Sequence, residues 1–163
     1  MTFIESILNT FNELNDYRNF YVLFPQNKIK LQIQEIKPDK FLQLAEISIY
    51  KTNFYENQNK REEGGFNKSR KEGKWLGWYP NGVKATETNY HRGFKNGLYK
   101  SWYSNGSPLM ERNYTNGKLN GPYIDWHHNG LIKEEGLYRN SIKVGNIRGQ
   151  TITGVNWEIN YGF

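Results

Sequence analysis

The sequence predicts a mainly β fold of the α+β class, with an amino-terminal helix on a short antiparallel sheet followed by a twisted array of 24-residue β-hairpin repeats. Two observations carry the array and one carries the helix. Trp78-Tyr79-Pro80-Asn81-Gly82 returns as Trp102-Tyr103-Ser104-Asn105-Gly106 and as Trp126-His127-His128-Asn129-Gly130, a period of 24 residues. Independent columns keep that register: Glu87, Glu111 and Glu135; Tyr90, Tyr114 and Tyr138; Gly73, Gly97, Gly121 and Gly145. A fixed short period means stacked copies of one small unit, each burying its apolar side against its neighbours. At the amino terminus Thr2 and Glu5 form a capping box, and Ile4, Ile7, Leu8, Phe11 and Leu14 follow helical spacing, which predicts an amphipathic helix over residues 2–16.

After the helix, Phe20 to Phe24 is a continuous apolar strand and Pro25-Gln26-Asn27 a turn. Lys28 to Gln34 then alternates, with Ile29, Leu31 and Ile33 on one face, and a turn at Pro38-Asp39 leads to a further strand over Phe41–Tyr50. Residues 1–50 are thus expected to be a capping module and residues 51–163 the array. Within the array, residues 51–72 form a degenerate copy that carries Gln58 in place of the turn glycine. Clear copies span about residues 73–140, and residues 141–163 form a degenerate cap. Each copy reads as a hairpin: in the clearest, Leu98 to Tyr103 is one strand, Asn105-Gly106 the turn, Leu109 to Tyr114 the return and Asn116-Gly117 the next turn. Asn-Gly suits both turns if both central positions need positive φ. Leu98, Lys100 and Trp102 then face one way, Tyr99, Ser101 and Tyr103 the other. The column Trp78, Trp102 and Trp126 is expected to be core, since stacking places the same buried residue in every copy.

Composition narrows the function. The chain has 163 residues and no apolar run of the ~18 residues that a membrane helix needs. The start, Met1-Thr2-Phe3-Ile4-Glu5, lacks a secretory pattern, and there is no cysteine, so a soluble cytoplasmic protein is expected. Phosphate-loop, dinucleotide, zinc-helix and calcium-loop motifs are all missing. Adjacent His127 and His128 on a strand point to opposite faces and make a poor shared metal site. Neither enzyme activity nor a cofactor or metal is therefore expected. Charge sits in the array: residues 1–50 carry five Lys/Arg against six Asp/Glu, and residues 51–163 seventeen against ten. Lys60, Arg61, Lys68, Arg70, Lys71 and Lys74 make the densest basic stretch, which reads as a solvated surface or as an anion site for membrane lipid.

The order glycine, aromatic, Trp-Tyr-x-Asn-Gly, Glu-x-x-Tyr and Asn-Gly resembles the MORN-repeat variant family, over about residues 73–140. The resemblance implies hairpin repeats with a binding role: members resemble antitoxin or immunity proteins in many bacterial settings, and the parent MORN repeats are associated with membrane-apposed scaffolds. It implies no catalytic residue. Contact residues are expected where copies differ on one face, which selects Trp75, Tyr79, Tyr99, Tyr103, Tyr123, Asp125 and His127. The expected partner is a protein, a toxin domain with an acidic surface to suit the formal charge of +6. An anionic lipid surface is the alternative. No specific nucleic acid is expected, because the repeat already accounts for the rings, and the oligomeric state is open.

Overall fold

The computed structural model describes residues 20–24, 27–32 and 48–162. Thirteen strands form one antiparallel sheet: β1 (Phe20–Phe24), β2 (Asn27–Gln32), β3 (Ser48–Phe54), β4 (Lys60–Asn67), β5 (Arg70–Trp78), β6 (Lys84–His91), β7 (Phe94–Lys95), β8 (Gly97–Trp102), β9 (Pro108–Thr115), β10 (Lys118–Trp126), β11 (Ile132–Arg139), β12 (Ile142–Gln150) and β13 (Asn156–Asn160). The order is a plain meander in which β7 and β8 are two halves of one strand, both paired with β6. Every substantial contact between strands is between sheet neighbours, so the described sheet is a single open layer.

This corrects the expected α+β class. The described residues are all β, and the helix expected over residues 2–16 lies outside them. Nor do the early strands make a separate short sheet. Ile49 pairs with Phe66 on one side of β3 and with Leu31 on the other, so β1 to β3 continue the repeat sheet without a break. The reason is that β3 occupies the first-strand slot of the degenerate copy and offers a free row of backbone groups, which the alternating β2 completes.

Two kinds of turn alternate along the meander. At Tyr79-Pro80-Asn81-Gly82 the Gly82 amide donates to the Tyr79 carbonyl at 2.9 Å, and Gly82 alone is left-handed, with φ +83. The same holds at Gly106 and Gly130, with φ +88 and +87. These are type I turns closed by a left-handed residue, not the expected pairs of positive-φ residues. The asparagine acts through its side chain instead: Asn81 Oδ1 accepts from the Val83 amide at 3.1 Å. At the opposite end of the hairpins the two-residue turns do have both positions left-handed: Arg92-Gly93 at +53 and +89, Asn116-Gly117 at +49 and +81.

A second device bends the sheet. Trp75 pairs with Gly64 but Glu72 with Gly65, so Gly73 and Lys74 bulge out of β5. Comparable shifts fall between Leu119 and Tyr123 and between Leu137 and Glu135. The bulge glycines Gly73, Gly97, Gly121 and Gly145 hold φ of +69, +95, +111 and +69. Bulged strands bend and twist more strongly, so curvature accumulates once per repeat.

The core is one column of the repeat. Trp75, Tyr123 and Ile147 are 4%, 2% and 1% exposed, with Tyr99 half-buried between them. Small residues make the room: a Cβ on Gly64 would lie 2.3 Å from the Trp75 ring, and one on Gly136 would lie 2.9 Å from Ile147. Trp75 meets Phe66 edge-on at 5.0 Å, and its Nε1 donates to the Gly65 carbonyl at 3.0 Å. The Trp78, Trp102 and Trp126 column, expected to be core, is only half-buried on the opposite face. Among the described residues no second layer covers it; lysine ammonium groups lie 5.3 Å over Trp78 (Lys60) and Trp102 (Lys84).

Gln58 sits in the left-handed slot of its turn at φ +66, where other copies have glycine. A side chain there costs about 1–2 kcal/mol. Gln58→Gly should therefore raise the stability by about 1 kcal/mol, read from the urea midpoint; an unchanged or lower midpoint would show that the turn is not strained.

Candidate functional site

The seven residues expected to bind a partner fall into three structural groups. Tyr79 and Tyr103 are clamps between repeats: their hydroxyls donate to the carbonyls of Trp102 and Trp126, both at 2.8 Å. Tyr55 does the same to Trp78 at 2.8 Å. His127 takes the slot with Nε2 at 2.8 Å from the Gln150 carbonyl; since a carbonyl only accepts, Nε2 carries the proton. The turn asparagines repeat this stitching two residues further on, Asn81 Nδ2 to Ser104 O at 2.8 Å and Asn129 Nδ2 to Ile152 O at 2.9 Å. Trp75, Tyr99 and Tyr123 belong to the core column, and the burial of Trp75 and Tyr123 leaves Tyr99 as the reachable ring of the three. Asp125 is in an ion pair with Arg112, 2.6 Å from Nη2 and 3.3 Å from Nε.

The basic stretch does not form one patch either. Hairpin geometry sends Lys71 to the core face, 3.6 Å over the Trp75 ring, and Lys74 to the opposite face, 2.6 Å from Glu87. Lys60 pairs with Glu63 at 2.8 Å, Arg61 is the extra residue of a bulge, Lys68 is in the turn between β4 and β5, and Arg70 follows that turn.

What the core face does present is a second column of rings, Tyr90, Tyr114 and Tyr138, beside the first. Tyr99 and Tyr114 meet edge-on at 6.1 Å, and the rings of Tyr123 and Tyr138 lie 4.6 Å apart, tilted at 44°. Cations overlie them: Lys95 is 4.2 Å from the Tyr99 ring and 5.1 Å from Tyr114, and Lys71 is 5.3 Å from Tyr90. A shallow groove is lined by Lys71, Thr86, Thr88, Tyr90, Lys95 and Tyr99. Burial pushes the Lys95 ammonium below its ordinary pKa, and the charges of Lys71 and Arg112 push it the same way. Burial likewise raises the phenols of Tyr90 and Tyr114. The tyrosine column was visible in the sequence as a repeat slot. The signal that could have found the lysines is their spacing, with Lys71, Lys95 and Lys143 all on one further slot of the period.

The opposite face carries the glutamate column. Lys100 meets Glu111 at 2.7 Å, Arg148 meets Glu135 at 2.6 Å, and Glu87 receives Lys74 at 2.6 Å and Lys84 at 3.0 Å. Among the described residues no group of three histidine or acidic side chains is arranged to hold a metal ion.

Hairpins fastened end to end, with a core column and a ring-lined face, define a β-hairpin repeat array. Residues 71–92 and 95–118 each match the family model of the MORN repeat variant, so this part of the array is built of MORN-variant repeats. No curated protein matches the chain. MORN-variant repeats are non-catalytic binding and scaffold modules.

Lys74, followed by Lys84, holds the Glu87 carboxyl below its ordinary pKa. Because the folded value lies below the unfolded one, this stabilisation is complete above the unfolded carboxylate range and is lost as pH falls through the folded value. Glu87→Gln should therefore lose about 0.5–1 kcal/mol at pH 7 and lie closer to the parent protein at pH 3, compared by urea denaturation at both. An equal deficit at both pH values would show that the loss is not ionic.

Proposed function

We propose that this protein is a cytoplasmic, immunity- or antitoxin-like binding protein that occludes the active site of a toxin domain without chemistry of its own. The observation that carries the reading is the core face, where Tyr90, Tyr99 and Tyr114 stand in contact with Lys71 and Lys95 on hairpins fastened to each other at both ends. Tyrosines held in place supply contact area at low entropic cost, which suits recognition of a protein surface. The excess of cations, +6 overall, favours an acidic target over a basic nuclease groove. The basic stretch does not favour a lipid scaffold instead, because it is divided between two faces and the hairpin ends.

The test is co-purification of the tagged chain from its native cells at moderate salt, with mass spectrometry of what is retained. One stoichiometric toxin fragment is expected, and Tyr99→Ala or Tyr114→Ala should weaken its binding by about 2 kcal/mol. Recovery only with membranes, lost on raising salt, would contradict the reading; so would a tight complex restricted to a basic nuclease.

A further inference from the structure

The repeat supplies its own comparison for each charged group on the core face. Glu62 and Lys71 stand nine residues apart and pair at 3.5 Å. Glu134 and Lys143, one from each of the same two slots and again nine apart, are also ion-paired. In the hairpin between them the slots hold Thr86 and Lys95, so the cation is kept and the carboxylate is missing. In the next copy both are gone, replaced by Met110 and Leu119. Lys95 thus stands without a carboxylate partner among the described residues, half-buried between rings, and its charged neighbours are the cations Lys71 and Arg112. Arg112 is committed to Asp125.

The groups around Lys95 are donors in search of an acceptor. The Tyr123 hydroxyl is taken up by Glu134, whereas those of Tyr90, Tyr99 and Tyr114 have no protein acceptor among the described residues. The Ser101 hydroxyl is buried with no hydrogen-bond partner among the described residues. It lies across the strand pair from Thr86, where the missing carboxylate would stand. A half-buried ammonium and a set of unspent hydroxyls need an anion of the size and charge that the array supplies elsewhere from its own glutamates.

We propose that Lys95, with the hydroxyls of Tyr90, Tyr99 and Tyr114, receives an aspartate or glutamate side chain of the protein partner, which completes in trans the ion pair that Glu62 and Glu134 complete within the chain. The proposal rests on the protein-binding reading above and names the chemistry its site takes. An incoming carboxylate here opposes the repulsion that Lys71 and Arg112 exert on Lys95, the one cation of the three without a carboxylate of its own among the described residues. Thr86 sets the specificity: it keeps the seat open.

Two substitutions test this without depending on a damaged fold. The probe is a blocked synthetic hexapeptide of alternating glutamate and glycine, titrated against the full chain by NMR, with its glutamine counterpart as the neutral control. The acidic peptide should shift the ring signals of Tyr90, Tyr99 and Tyr114, and the glutamine peptide should not. Lys95→Met should weaken binding at least tenfold, and Lys118→Met, at a hairpin turn, should leave it unchanged. Thr86→Glu should block binding to the same extent while raising the unfolding midpoint, because it restores the ion pair in cis. Equal binding of both peptides, or a Thr86→Glu protein that binds as before, would overturn the proposal. The broader reading fails separately: a peptide seated at Lys95 with no toxin fragment co-purified supports the site and counts against the immunity role. A toxin complex indifferent to both Lys95→Met and Thr86→Glu overturns the site and leaves that role standing.

Discussion

The hydrogen bond from each turn tyrosine to the backbone carbonyl of the next hairpin is the constraint on which the molecule depends. Among the described residues the sheet is a single open layer with no second sheet to bury its apolar side, and only Trp75, Tyr123 and Ile147 are buried hydrophobics. Stability in such an array is a sum over neighbouring units, so the joints between units matter more than any central core. Each joint is fastened twice. At one end Tyr55, Tyr79, Tyr103 and His127 reach carbonyls 23 residues on. At the other, the Gly93, Gly117 and Ser141 amides donate to the carbonyls of Lys71, Lys95 and Leu119 at 2.9, 2.8 and 2.7 Å.

That fastening divides labour between the faces. Bulges at Gly73, Gly97, Gly121 and Gly145 curve the layer, ion pairs of the glutamate column cover one side, and rings with their lysines cover the other. The ring side combines rigidity with unspent hydrogen-bonding capacity. Rings held by their neighbours lose little freedom on binding, which is where affinity is gained when the area is modest. Variation between copies is then free to act on charge. The exchange of glutamate for Thr86 leaves the hairpin intact and changes only what Lys95 can meet.

The period, the hairpins of the array, the positions of their turns and the strands β1 and β2 were legible in the sequence, because turn residues and two-residue alternation are local. The type of the Asn-Gly hairpin turn was not, and of the strand expected over Phe41–Tyr50 only the end falls within the described β3. Face assignment was not legible either. Trp78, Trp102 and Trp126 recur most conspicuously, yet burial goes to the less uniform slot of Trp75, Tyr99, Tyr123 and Ile147, because the small residues Gly64 and Gly136 opposite that slot make the room. Tyr79, Tyr103 and His127 looked like a contact row because they vary in identity; what they share is a donor at the tip, which alternation cannot show. The basic run from Lys60 to Lys74 is continuous in sequence and divided in space because a turn and a bulge intervene. The all-β class of the described residues likewise reflects β3 joining two strand systems through backbone pairing that no residue pattern announces.

The most direct measurement of the central claim is amide hydrogen exchange and urea unfolding of Tyr103→Phe, which deletes one hydroxyl and keeps the ring. If the tyrosine joint holds the array, the variant loses about 1 kcal/mol, and exchange quickens in β10 to β13 while β3 to β6 stay protected. A midpoint unchanged within a few tenths of a kcal/mol, with uniform exchange, would contradict the account and place the stability of the array in its rings alone.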